Sequence, residues 1–255
     1  MTYTLRAYEF WLTFYRRTWR GTLATSIVNP VFYLGALGIG LGTLVNRSGT
    51  TPEGVKYLAF VAPGVLAATA MQVATVEASW PVLGSIRWTR GYFAMLATPL
   101  EIRHVVLGHQ AWMATRVVSS CATYLAVIAA FGGIHSPLGA LALPACFLIG
   151  VAFSAPMAAY AATRENDAAF VVVNRFAIIP MFLFSGTFFP VSQLPLPLRW
   201  VAYATPSWHG VDLCRSLTLG RAHWPLSLVH VVYLTAWGVA GLAYAMHTYR
   251  RRLLK

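Results

Sequence analysis

Long apolar runs alternate with short polar ones along this chain. The runs cover about Thr22–Val45, Tyr57–Val76, Gly108–Phe131, Leu138–Ala162, Phe170–Phe189 and Trp224–Thr248. At 1.5 Å per residue each is long enough to cross a hydrocarbon layer of about 30 Å, and backbone groups inside lipid need internal partners. The pattern therefore predicts six membrane-spanning helices, with Pro30 tolerated as a kink in the first. Ahead of that run, Leu5, Tyr8, Trp11, Leu12, Tyr15 and Trp19 recur at helical spacing opposite Arg6, Glu9, Thr13, Arg16, Arg17 and Arg20. Such a two-faced stretch predicts an amphipathic helix lying in the membrane interface.

Two polar segments stand out between the runs. After Trp80 and Pro81 comes "RWTRGYFAMLATPLE", whose spacing predicts a short helix presenting Trp88, Tyr92, Phe93 and Leu96 together, flanked by Arg87 and Arg90. Thr98 and Pro99 should end it, because the residue before proline avoids helical geometry. From spacing alone, this segment suits either docking into a groove of another protein or lying on the lipid surface. The second, Pro190–His223, is too interrupted to span and too apolar for a plain loop. Leu198, Trp200, Val201, Val211, Leu213 and Leu217 predict short helices, broken at Pro206 and Gly210, that dip into the outer half of the membrane. An interfacial loop is the other reading.

Composition agrees with the pattern: of 255 residues 58% are hydrophobic and 10% are charged, where a soluble domain carries about 25% charge. A net charge of +12 raises nucleic acid as a partner, but the arginines sit in short blocks at the ends of apolar runs, where topology explains them. One side of the predicted bundle receives twelve basic residues: Arg6, Arg16, Arg17, Arg20, Arg87, Arg90, Arg103, Arg164, Arg250, Arg251, Arg252 and Lys255. The other receives five, namely Arg47, Lys56, Arg199, Arg215 and Arg221. The richer side is cytoplasmic by the positive-inside rule, which places both termini and the Arg87–Pro99 segment inside. The N-terminal order of charges is not that of a cleaved signal peptide, and the expectation is that nothing is removed. No internal repeat or separate soluble domain is visible.

Candidate chemistry is sparse. Cys121, Cys146 and Cys214 are far apart and form no CxxC, so they are expected to be packing residues. The seven histidines show neither HxxxH nor HExxH, and no metal site is expected. No two of the seven acidic residues fall together inside a span, and Ser154 has no sequence-defined base, which argues against an intramembrane enzyme. Phosphate cradling needs GxxxxGK[ST], and neither Lys56 nor Lys255 has that context. Any ATP and Mg must then be held by a separate subunit, and no cofactor is expected on this chain. Arg116 and Arg175 lie within spans, where a charge costs about 2.5–3.5 kcal/mol on insertion scales. They either snorkel to the interface or line a cytoplasmic entrance, pairing with Glu77 or attracting an anionic headgroup; the second reading also leaves room for an ion-coupled transporter. Phe182 and Phe184, with other span aromatics, either contact an amphipathic cargo or pack.

Three blocks carry a resemblance over almost the whole chain: "YLAFVAPGVLA" at 57–67, "YFAMLATPLEIRHVVLGH" at 92–109, and "FLFSGTFFPVSQLPLPLRWVAYATPSWHGVDLCRSLTLG" at 182–220. In this order they resemble the membrane subunits of type-2 ABC exporters, particularly the branch of the lipo-oligosaccharide exporters of nodulating bacteria and the daunorubicin-resistance exporters. The resemblance implies an all-α, polytopic membrane protein of one transmembrane domain in a bacterial inner membrane. It implies that Trp11, Tyr15, Arg16, Arg17 and Trp19 lie on a helix beside an ATPase subunit, and that Arg87, Trp88, Arg90, Tyr92, Phe93, Leu96 and Pro99 belong to a coupling helix. It also implies an outer re-entrant segment with Trp200, Pro206, Trp208, His209 and Arg215. The implied partners are nucleotide-binding subunits, a second permease, identical or related, membrane lipid, and an amphipathic drug, lipid or glycolipid as cargo, with oligosaccharide or polymer export as the alternative.

Overall fold

Tyr57–Glu77 carries no charge before its last residue, and it forms helix α3, the most deeply buried of the long helices. The computed structural model describes residues 2–47, 49 and 52–254, and their side chains apart from 2, 18, 20–27, 29, 30 and 39. The expected roles of Arg20, Pro30 and Lys255 lie outside the described residues and side chains.

Every regular element among the described residues is helical. Thr2–Tyr33 is α1, continued by a π-helical segment at Leu34–Leu41 and by α2 at Gly42–Arg47. After α3 come α4 (Trp80–Arg87), α5 (Gly91–Leu96), α6 (Ile102–Ala130) and α7 (Ala142–Ala162). Ala168–Val173 is α8, joined through π-helical Asn174–Ile178 to α9 (Ile179–Phe184). Leu196–Tyr203 is α10, Pro206–Thr218 is α11 and Trp224–Leu253 is α12.

Among the described residues four stretches are long and apolar enough to cross a membrane: 57–87, 102–130, 137–162 and 224–253. They correspond to the expected second, third, fourth and sixth spans. The other two are shorter apolar helices, 31–47 and 168–184. The expected fifth span runs to Phe189, but helix ends at Phe184, because Gly186 adopts φ 87° and its carbonyl accepts from Arg215 instead of from a helical N–H. At the N-terminus no break separates the amphipathic stretch from the first apolar run; α1 passes through both.

Inside lipid the hydrophobic effect does not drive helices together, and close packing of small residues takes its place. α12 lies along α7 over much of its length, and at Gly241 a Cβ would come within 2.5 Å of Pro156 Cδ. Gly108 of α6 similarly admits Ala7 of α1, where a Cβ would meet the Ala7 Cβ at 2.5 Å. Threonine hydroxyls within the spans return to their own helix: Thr69 Oγ1 donates to the Val65 carbonyl at 2.8 Å and Thr75 Oγ1 to Met71 at 2.8 Å. The core has a central cluster containing Phe153, Leu66 and all three cysteines, and a second cluster at the arginine-rich end. The cysteines gather in this cluster as free, buried thiols.

Candidate coupling site at the arginine-rich end

The expected 87–99 helix is broken in two. α4 continues the line of α3 after a kink at Ala78 and Ser79, and Arg87 is its last residue. Arg90 turns the chain with φ 51°, a left-handed conformation uncommon for a side-chain-bearing residue, and α5 occupies only six residues. Thr98 closes the following turn by donating from Oγ1 to the Met95 carbonyl at 2.6 Å. Beyond Pro99, Glu101 starts α6 with a capping box, its N–H donating to His104 Nδ1 at 3.1 Å.

This geometry divides the aromatic residues that spacing grouped together. Trp88 is 65% exposed and Phe93 is exposed too, whereas Tyr92 is 0% exposed and Leu96 is half-buried. Tyr92 therefore does not share the outward face; a six-residue helix packed on two longer ones must point one aromatic inward. Its hydroxyl lies 2.5 Å from His109 Nδ1 on α6 and 3.4 Å from the Tyr249 hydroxyl on α12. Burial, and then the Tyr249 hydroxyl, hold the Tyr92 phenol well above its usual range, so it is un-ionised at any physiological pH. Trp11 of α1 stacks on the His109 ring at 3.8 Å with the planes 4° apart. One tyrosine thus joins the short helix to α6 and α12, and through His109 to α1. Among the described residues, Trp11 Nε1 and His109 Nε2 are buried without hydrogen-bond partners.

On the N-terminal helix, Tyr15 also faces inward, and its hydroxyl accepts from Arg116 at 3.1 Å; Arg16, Arg17 and Trp19 are exposed. Arg116 is buried at 6% exposure and donates from Nε to Glu77 at 3.0 Å. Its charge is held by a neighbouring helix instead of snorkelling outward. Glu77, Arg116, Trp11 and Tyr15 line a cleft of about 760 Å³ among α1, α3, α4 and α6. Arg175, Phe182 and Phe184 are not brought to it. Arg175 is exposed in the π-helical segment, Phe184 is exposed on α9, and Phe182 packs edge-on against Phe188 at 5.0 Å.

The opposite end contains the 190–223 segment. Pro206 does start α11, whose N-cap Thr205 accepts from Trp208 N at 3.4 Å. Gly210 does not break it: it sits inside the helix, where a Cβ would come within 2.7 Å of Ile149. Trp200 on α10 is exposed, while Arg215 on α11 is buried over the Phe60 ring at 3.8 Å and donates to the Phe60 and Gly186 carbonyls at 3.2 and 2.6 Å. His209 meets His230 of α12, Nδ1 to Nδ1 at 2.7 Å, and His230 Nε2 meets Asp212 at 3.0 Å. Trp208 packs edge-on against both imidazoles.

Sequence reasoning did not single out His109, Tyr249, His230 or Asp212. The available signal was His109 closing the 92–109 block and polar residues recurring within otherwise apolar helices; their partners, up to 157 positions away, leave no local trace. Among the described residues no group of three or more His, Cys, Asp and Glu side chains is placed to hold a metal ion.

The ABC-2 type transporter family matches residues 5–219. Nodulation protein J of Rhizobium leguminosarum bv. viciae is 34% identical over 96% of this chain and 95% of its own length. Nodulation protein J of Rhizobium meliloti is 32% identical over 96% and 94%, and that of Azorhizobium caulinodans 23% over 86% of each. A tightly packed helical membrane chain, matched by the family over most of its length and by these relatives nearly end to end, belongs to the ABC-2 type transporters, as a permease of the nodulation exporter branch.

Proposed function

We propose that this permease moves an amphipathic drug, lipid or glycolipid outward across a bacterial inner membrane, driven by ATP bound with Mg on separate nucleotide-binding subunits. Both termini and the α3–α6 connection lie in the cytoplasm, and a second permease, identical or related, completes the membrane part. The arginine-rich end supports this orientation, since it gathers the Arg87–Arg103 and Arg250–Arg252 blocks.

The carrying observation is the divided α5. A helix that only coats the lipid surface has no need of a fully buried tyrosine bonded to one long helix and close to another. α5 has one, and turns Phe93 outward beside the exposed Trp88 of the turn before it. Motion delivered to the exposed aromatics passes through Tyr92 to α6 and α12. Exposed Trp is among the residues that most often dominate protein contacts, at about 2 kcal/mol or more each. Replacing Trp88 and Phe93 by Ala should weaken association with the nucleotide-binding subunit by about tenfold or more, with membrane insertion unchanged. Co-purification of the two subunits, paired with cargo-stimulated ATP turnover, measures this. Unaltered association and turnover would return α5 to a lipid-surface role.

A further inference from the structure

Beside α5, a groove of about 850 Å³ is walled by the end of α4, the end of α7 and the end of α12. Four arginines line it, Arg87 and Arg90 from one wall and Arg251 and Arg252 from the other, against one carboxylate, Glu165. Glu165 bridges the walls, 2.7 Å from Arg87 and 2.6 Å from Arg252. Among the described residues Arg90 and Arg251 have no ion-pair partner. The groove thus holds two uncompensated guanidinium groups, and Arg90 is held there on a left-handed backbone, a conformation that persists where surrounding structure imposes it.

The rim selects the kind of occupant. Trp88 and Phe93 line the same groove, and arginine with exposed aromatic residues is the composition of a protein contact centre. The walls also lie at the polar ends of the spans, where α7 gives way to "TRENDAA" and α12 to "YRRRLLK", and four arginines with Glu165 interrupt the apolar surface that Ile86, Ala162 and Tyr244 supply there. Guanidinium groups pair with carboxylates bidentately, which adds geometry to charge.

We propose that an acidic segment of the nucleotide-binding subunit enters this groove, its carboxylates taken by Arg90 and Arg251. The inference rests on the function proposed above and adds a second contact to α5. The ATPase then grips α12 directly as well as through Tyr92, and an incoming carboxylate competes with Glu165 for the arginines that hold the two walls together.

The test uses the intact complex of permease and nucleotide-binding subunit. Arg90→Lys and Arg251→Lys each place an amine in the groove, and a water-soluble carbodiimide joins amines to carboxylates in direct contact. A permease–ATPase conjugate should form at least about fivefold above that of the native chain, whereas Arg250→Lys, exposed one residue outside the groove, should stay at the native level. In parallel, Arg90→Glu with Arg251→Glu should weaken co-purification about tenfold, and Arg250→Glu should not. Conjugates no stronger than the Arg250 control, or reversal without effect on co-purification, would overturn the inference while leaving the α5 reading intact. So would a reversal that changes only binding to phosphatidylglycerol vesicles relative to phosphatidylcholine ones, which would assign the groove to lipid. Failure of the native permease to co-purify with any nucleotide-binding subunit would instead remove both.

Discussion

Taking the oxygen from Tyr92 should leave its ring packed and His109 Nδ1 without its hydroxyl partner. A buried group stripped of its partner costs about 1–3 kcal/mol, and His109 Nε2 already has none among the described residues. Tyr92→Phe should therefore lower the thermal midpoint in detergent modestly, keep the ATPase bound, and reduce the ATP turnover that cargo stimulates. Tyr92→Ala adds a cavity of aromatic size and should lower the midpoint much further. Equal loss of stability in both variants with turnover still coupled would make Tyr92 a packing residue alone. That this residue faces inward was not legible in the sequence. In "RWTRGYFAML" the aromatics share a stripe, and only the helices to which α5 is attached decide which of them the stripe buries. The Glu77–Arg116 pairing, by contrast, was legible as one of two readings, because a charge within a span needs a partner or a route to water.

At the scale of elements, positions of proline and apolar length were good guides and glycine was not. Pro99 and Pro206 lie where helices stop and start, since proline constrains its own backbone and that of its predecessor. Gly210 reads locally as a breaker, yet it serves close approach: Ile149 fills the place of its missing side chain. Gly241 does the same for Pro156, and it gives the sharpest packing test. Gly241→Ala forces a Cβ to within 2.8 Å of the Pro156 nitrogen, a backbone atom that cannot swing aside, so α7 and α12 must separate. Overpacking of this kind costs about 1–3 kcal/mol and should appear as a lower melting midpoint in detergent. Gly40→Ala, where an added Cβ meets nothing within 4 Å, should leave the midpoint unchanged. Because alanine favours the helix over glycine, a similar fall in both could not come from propensity and would show that the loss does not report the α7–α12 contact. The short α8–α9 pair was misjudged for a related reason: apolar residues continue to Phe189, but Arg215, 29 positions from Gly186, captures the carbonyl that a longer helix would have used.

Orientation belongs to the whole molecule, and the buried cysteines make it measurable. Cys121, Cys146 and Cys214 are enclosed in the core, so the native chain should react little with a membrane-impermeant maleimide on either side. That silence allows single reporters to be read without first removing the native thiols. Asn166 is exposed beyond α7 at the arginine-rich end, and Lys56 is exposed before α3 at the other. In the proposed orientation the excess of arginine puts Asn166 inside, because cytoplasmic segments retain basic residues during insertion. Lys56→Cys should therefore label in intact cells, and Asn166→Cys only after the membrane is opened. The two sites are separated by α3, α6 and α7, an odd number of crossings, so the pair also tests the span count: labelling from one side would mean that one of these three helices does not traverse the bilayer. Labelling from opposite sides but with the order reversed would keep the three crossings and overturn the cytoplasmic placement of α5, and with it any contact between the Arg90–Arg251 groove and an ATPase that works in the cytoplasm.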